Sequence, residues 1–342
     1  MTMSPWCKSA LALALLLGAA AAPSRSEAQT VTLKFSQFLG PTSFFQRDVV
    51  APWAKELEAR TAGKARVEFY DGTSRLGKVT EQASQVMAGS VDIALGLRGA
   101  EGDRFPASSI IELPFVVPSA AVGSRALWTL AQEGPLADDY KDYKLLALFV
   151  HNPGLIHTTS RRVVVLADIK GLRLRAPNKT VAEALEQIGA VPAVLQVDDV
   201  MPAVRAGKLD GIVTNWGNPL PGFNDLMKIH TEVPFYTSAF FIVMNRARYE
   251  GLPADVRHAI DAISGAVWVA KFGAYWDEWD APVRAGANAP GHEIIVPDAT
   301  AMAGWKAGLK PVTERYLTAL SARVPDARAA YAKLIAMTGG GN

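Results

Sequence analysis

The sequence predicts an α/β protein folded as two lobes joined by a hinge, and three observations lead there. Short apolar runs of strand length alternate with stretches whose apolar residues recur at three and four, the pattern of sheets with parallel neighbours covered by helices. The chain has 342 residues, long for one core and comfortable for two at roughly 150 residues per domain. An echo relates the two halves: Val86-Met87-Ala88-Gly89-Ser90-Val91-Asp92 and Val204-Arg205-Ala206-Gly207-Lys208-Leu209-Asp210 share V-x-A-G-x-x-D, each joining a helix end to a strand.

Taken in order, residues 1–28 read as an export signal. Lys8 precedes an uninterrupted apolar run from Ala10 to Ala22, too short to span a bilayer comfortably, and Ser26-Glu27-Ala28 offers cleavage after Ala28, with an uncleaved anchor as the alternative. Cys7 is the only cysteine. It lies before the apolar run, so the mature chain is expected to hold no thiol, disulfide or Cys-ligated metal. Lobe I is expected over 29–152. Val31 to Phe38 alternates as a strand, with Gln37 and Phe38 at its exit. Val49, Val50, Trp53 and Leu57 place a helix over 44–62; Arg66–Tyr70 is a strand; 79–88 is a helix stopped by Gly89; Val91–Leu95 is a strand; and Leu145–Val150 is a buried strand. Asn152-Pro153-Gly154 is the predicted first crossover.

Lobe II, expected over 153–236, opens with strands at 155–159 and 161–166 and centres on residues 168–216. Leu172-Arg173-Leu174-Arg175-Ala176 alternates apolar and basic residues, and Pro177 ends the ladder, so Arg175 lies at a strand end. Thr180 is the expected cap of a helix ending at Gly189. Asp198 or Asp199 caps a second helix ending at Gly207, and Leu209–Thr214 is a strand delivering Asn215 and Trp216 to its exit. Open α/β sheets bind ligands at such strand ends. Thr237–Asn245 reads as a strand returning to lobe I, with 237–252 as the return segment and a second crossover near Tyr236. Residues 253–286 hold a long helix, continuous at least to Glu278, and 287–342 hold a short strand and two helices.

The balance of 35 basic and 33 acidic residues gives +2. Removing Lys8, Arg25 and Glu27 with the leader takes away one net positive charge and leaves +1. No basic stripe exists to release counterions, which excludes a nucleic-acid partner. The five histidines form no H-E-x-x-H pair, there is no G-x-S-x-G or phosphate-cradling loop, and Gly96, Gly99 and Gly102 have the wrong spacing for a dinucleotide. Neither cofactor nor metal is expected, and no repeat or all-β pattern suggests a structural surface protein.

Arginine suits a carboxylate because its rigid fork makes two parallel charge-assisted hydrogen bonds and keeps its charge. Arg173 and Arg175 share a strand face, and spacing alone leaves both open. DIKGLRLRAP, EQIGAVP and AVRAGKLDGI, with YDGTSRLG, QVMAGSVDIAL and FPASSIIELPF in the same order, resemble the DctP-type solute-binding proteins of TRAP (tripartite ATP-independent periplasmic) transporters over residues 31–278. The resemblance implies a periplasmic-binding-protein-like fold with a long helix bridging both lobes. It also implies a periplasmic receptor that is not an enzyme, a small organic acid as ligand, and membrane permease subunits of the DctQ and DctM type as partners of a monomer. It selects Arg175 as the carboxylate clamp. It places an amide after the DG pair, where this chain has Asn215 one residue later than many members do.

Asn215 is read as ligand contact or loop cap, Trp216 as ligand stack or core, His157 as ligand donor or structural residue, and Arg98 as a second cation or a solvated loop charge. Gln37 and Phe38 are the expected contacts from lobe I. Sialic-acid-binding members carry an arginine ahead of a comparable T-T-S run, where this chain has Ile156. Ile156, with Trp216 and Phe240 or Phe241 as walls, points to a less polar monocarboxylate, aromatic or keto acid. The alternative is a secreted enzyme acting on a small carboxylic acid.

Overall fold

The structure, a computed structural model, describes residues 30–341 apart from 196, 218 and 219. The leader, its cleavage after Ala28, and Cys7 lie outside the described residues. No helix among the described residues is long and apolar enough to cross a membrane.

Two sheets carry the fold. Strands β1 (Val31–Gln37), β2 (Ala65–Tyr70), β3 (Ile93–Leu97), β4 (Tyr143–Val150), β5 (Gly154–Thr158), β6 (Arg173–Ala176), β7 (Val191–Val194), β8 (Gly211–Thr214), β9 (Ile229–Tyr236), β10 (Ala239–Asn245) and β11 (Glu293–Ile295) follow one another in sequence. They assemble as a five-stranded sheet, β2-β1-β3-β10-β4, and a six-stranded sheet, β11-β9-β5-β8-β6-β7. In the first, β10 is the reversed strand between β3 and β4; in the second, β5 is reversed between β9 and β8. Each reversed strand is where the chain has just crossed over. It leaves lobe I at the end of β4, enters lobe II as β5, leaves at the end of β9 and returns as β10. The carboxyl ends of the parallel strands in both sheets therefore face each other across the hinge segments 151–153 and 237–238.

Strands buried on both faces have continuous apolar runs, and β10 shows why. Phe240, Ile242 and Met244 enter one lobe I core with Leu33, Phe35 and Phe149, while Phe241 and Val243 enter the other with Leu148 and Ala94. Sheet two divides likewise, with Ile156, Leu174 and Val213 on one side and Leu155, Ile212 and Trp216 on the other.

The helix expected from residue 253 is two, Ala254–Ile263 and Ala266–Gly286. Ser264 and Gly265 break it. Gly265 adopts φ +69°, and its N–H donates to Leu146 O of β4 at 2.6 Å, while Ser264 Oγ accepts from Trp53 Nε1 at 3.1 Å. Partners far away in sequence thus bend the span. Its second part does bridge: Trp268, Phe272 and Trp276 sit in lobe I, whereas Val283 and Ala287 pack in lobe II. The helix Ala299–Ser321 crosses back, with Trp305 and Leu309 in lobe II and Leu317 and Leu320 in lobe I. Two short strand connections and two helices are a linkage about which lobes rotate without separating.

Other local expectations shift. Residues 161–166 are not a strand, because the Asp168 carboxylate accepts the N–H groups of Val164 and Val165 at 2.9 and 3.0 Å and curls the segment into a turn. Asn178, not Thr180, caps the helix Lys179–Gln187, its Oδ1 accepting from Val181 N at 2.9 Å. Asp198 and Asp199 fall inside the next helix, Val197–Arg205. The helix expected over 44–62 begins as a wider π turn, Phe45–Val50, and continues as Ala51–Arg60. Strand β9 has no counterpart in the sequence reading.

Candidate functional site

The site is built from the strand ends that face the hinge. On the lobe II side β6 ends at Arg175-Ala176, β8 at Thr214 followed by Asn215, and β9 at Tyr236. On the lobe I side β1 ends at Gln37, β3 runs into the Arg98–Ala100 turn, and β10 begins at Ala239-Phe240.

Arg175 is 4% exposed. Its Nε donates to Leu195 O at 3.2 Å, and among the described residues no carboxylate lies within ion-pair distance and no further partner of the guanidinium is found. Burial pulls its pKa below the usual arginine value, only partly offset by the nearby Tyr236. A guanidinium keeps its charge regardless. The result is a desolvated cation whose fork is largely uncommitted, a costly arrangement unless an anion completes it.

Arg98 is the opposite case. It is also buried, but its Nη2 lies 2.5 Å from Glu112 Oε2, and Glu112 Oε1 accepts from Ala239 N at 3.0 Å. Burial lowers the Arg98 pKa, and the Glu112 charge and hydrogen bond more than reverse this, so the net direction is up. The sequence reading missed Glu112, although a lone acid inside Ile110-Ile111-Glu112-Leu113 was a signal for a buried pair. This pair faces lobe II: a Cβ on Gly99 would lie 3.7 Å from Asn178 Nδ2 and 4.0 Å from Glu112 Oε2.

Tyr236, also missed, stands between these charges. Burial pushes its phenol up to about 12, with Arg175, a hydrogen bond to Thr214 and Glu112 also acting on it. It explains Gly154, whose added Cβ would lie 1.9 Å from the Tyr236 ring. His151, in the first crossover, packs edge-on against Tyr236 at 5.2 Å and against Trp276 at 5.7 Å. Its Nε2 accepts from Ser238 N at 2.9 Å, tying the two crossovers together. Phe240 stacks on Phe149 at 5.2 Å and lies 5.5 Å from Phe45 and 6.1 Å from Trp276. Phe241 faces the other core, under Gly96.

Gln37 is buried, its Nε2 donating to Gln46 Oε1 at 2.5 Å while its Oε1 has no partner. Trp276 Nε1 is likewise buried and unpaired. Phe38 is half-buried against the lobe I core. Asn215 donates from Nδ2 to Asp280 Oδ1 of the bridging helix at 3.1 Å, so it is engaged without being a simple loop cap.

Ile156 is fully buried on the sheet face carrying Leu174 and Val213, opposite to Arg175, which shares the face of its register partner Ile212. Trp216 packs in the core on Arg175's face, 4.8 Å from His157 and 4.7 Å from His230. Both ring nitrogens of His157 are taken. Its Nε2 lies 3.1 Å from Thr214 O, which only accepts, so Nε2 carries the proton and Nδ1 accepts from His230 Nδ1 at 2.9 Å. By the same logic His230 Nε2 accepts from His292 Nδ1 at 3.3 Å, and His292 Nε2 accepts from Lys228 Nζ at 3.1 Å. One directed chain of neutral imidazoles thus runs from the surface to the site strand.

Burial depresses His157 to about 3, with His230 adding to the effect, and burial likewise brings His230 and His151 to about 4. The unfolded chain binds these protons near pH 6.5 and the folded chain refuses them. Stability is therefore full above pH 6.5 and falls as pH drops toward 4, with a slope of up to about 1.4 kcal/mol per pH unit for each group. His157→Gln is expected to flatten that slope by about one proton in urea titrations between pH 6.5 and 4; an unchanged slope would contradict the chain of neutral imidazoles.

Among the described residues no three His, Cys, Asp or Glu side chains are grouped to hold a metal. What remains is a buried, uncommitted cation at the strand ends that face the hinge, with aromatic side chains of the crossovers and lobe I beside them. Residues 35–319 match the family described as bacterial extracellular solute-binding protein, family 7, DctP. The chain belongs to that family.

This DctP-family protein resembles a TRAP solute-binding protein from Rhodoferax ferrireducens solved with copurified benzoate, with TM-score 0.82 and 30% identity, covering 91% of this chain and 98% of that one. It also resembles a marine-metagenome TRAP solute-binding protein specific for aromatic acid ligands, solved with 3-hydroxybenzoate, with TM-score 0.83 and 31% identity, covering 91% and 98%. The C4-dicarboxylate-binding periplasmic protein DctP of Rhodobacter capsulatus is 24% identical, covering 89% of each chain. This family member is a periplasmic TRAP solute-binding protein, a receptor and not an enzyme.

Proposed function

We propose that this receptor captures a small apolar or aromatic monocarboxylate, or a keto acid, by closing both lobes over it, with Arg175 as the clamp. The observation carrying the reading is the buried guanidinium with no anionic partner among the described residues. An anion arriving there completes it with two parallel charge-assisted hydrogen bonds. Tyr236 and Asn215 flank the carboxylate from lobe II, while Phe240, Phe45, Trp276 and His151 supply an aromatic wall from lobe I and the hinge. Closure follows because the ligand touches both walls only when the lobes are shut, which biases the equilibrium by that difference in contact. Delivery then goes to permease subunits of the DctQ and DctM type, with the receptor acting as a monomer.

Relatives of 30% and 31% identity hold benzoate and 3-hydroxybenzoate, in keeping with the aromatic wall. Gln37 Oε1 and Trp276 Nε1 offer one unpaired acceptor and one unpaired donor, the complement of a hydroxyl. Calorimetric titration is expected to give the order 3-hydroxybenzoate, benzoate, glucuronate. The first step is about tenfold, the value of one hydrogen bond of about 1.4 kcal/mol. Preferential binding of glucuronate would contradict the reading.

A further inference from the structure

We propose that Asp280 is a positioning residue for ligand capture, orienting the Asn215 amide and tying it to the hinge at Asn152. The inference rests on the reading that Asn215 meets the ligand. Asp280 Oδ1 accepts from Asn215 Nδ2 at 3.1 Å and from the Gly217 N–H, while Oδ2 accepts from Asn152 Nδ2 at 3.0 Å. Asn152 is anchored in turn, its Oδ1 accepting from Ala120 N at 2.7 Å at the start of a lobe I helix. The bridging helix carrying Asp280 is seated in lobe I through Trp268, Phe272 and Trp276, whereas Asn215 and Gly217 follow a lobe II strand. One carboxylate therefore pins the site strand of one lobe to the crossover and to the other lobe.

An ionised carboxylate only accepts, so it fixes which edge of the Asn215 amide turns toward it. Nδ2 faces Asp280, which turns Oδ1 away from that carboxylate and fixes it as the group offered on the other side. Without Asp280 the hydrogen bond that selects between the two orientations of the amide is lost, and one of the two presents the wrong group to a ligand. Asp280 is 8% exposed, and among the described residues no cation pairs with it; its hydrogen-bond donors are what hold it. The geometry also accounts for Gly217, where an added Cβ would lie 2.4 Å from Asp280 Oδ1.

The test is a calorimetric double-mutant cycle with benzoate as probe on the full mature chain: wild type, Asp280→Asn, Asn215→Ala and the double variant. Asp280→Asn is expected to weaken binding about tenfold in the wild-type background and not at all once Asn215 is alanine. A purely structural role costs the same in both backgrounds, and that result would overturn the inference. Gly217→Ala displaces the carboxylate without removing its charge and is expected to reproduce the loss, which keeps the idea exposed should Asp280→Asn fail to fold. No loss in Gly217→Ala also overturns it. Failure of the wild type to bind either benzoate or 3-hydroxybenzoate removes instead the ligand reading on which the inference stands.

Discussion

Arg175→Ala is expected to abolish measurable carboxylate binding while leaving the empty protein at least as stable as the wild type. Removing one partner of a desolvated charge pair costs roughly 2 to 5 kcal/mol, on the order of thirty- to several-thousand-fold in affinity. The empty protein loses little, because the side chain makes one hydrogen bond, to Leu195 O, and holds a buried charge that nothing described neutralises. Arg175→Lys is not expected to rescue binding, since a lysine ammonium lacks the planar fork. Thermal melts and calorimetry on the same samples separate the two effects. A variant that binds normally would end the role of Arg175.

Glu112→Ala should do the reverse and damage the fold. Its carboxylate is the counterion of buried Arg98 and accepts the Ala239 N–H at the start of β10. Leaving Arg98 buried and alone costs about 3 to 5 kcal/mol, read as a lowered midpoint in urea. Glu112→Gln, which keeps an acceptor for Ala239, should cost less. A loss below about 1 kcal/mol would show that Arg98 finds other solvation. The two substitutions also discriminate between the arginines: were Arg98 the anion catch, freeing it from Glu112 would tighten ligand binding.

The alternation of short apolar runs and helical spacings was enough to anticipate two sheets, because strands such as β10 are buried on both faces and must be apolar throughout. Arg175 was placed at a strand end by local signals, the R-L-R-A alternation and Pro177. What escaped the sequence depends on distant partners. The bend at Gly265 is fixed by Leu146 O on another element. Strand β9, with Pro234 and charged Glu232, reads poorly alone and is held by pairing with β5 and β11. His157 reads as ligand donor or structural residue, and the partner that engages it, His230, lies 73 positions away. Asp280 and Asn215 are 65 apart. Ile156 shows the period-2 rule at work, since one residue along a strand moves a side chain to the other face.

The most direct measurement is the crystal structure of the receptor with its bound acid. The ligand carboxylate is expected on the Arg175 fork, with two parallel N–H···O contacts of about 2.7–2.9 Å, and its ring against Phe240 and Trp276. A carboxylate held by Arg98, or a ligand seated away from the hinge-side strand ends, would contradict it.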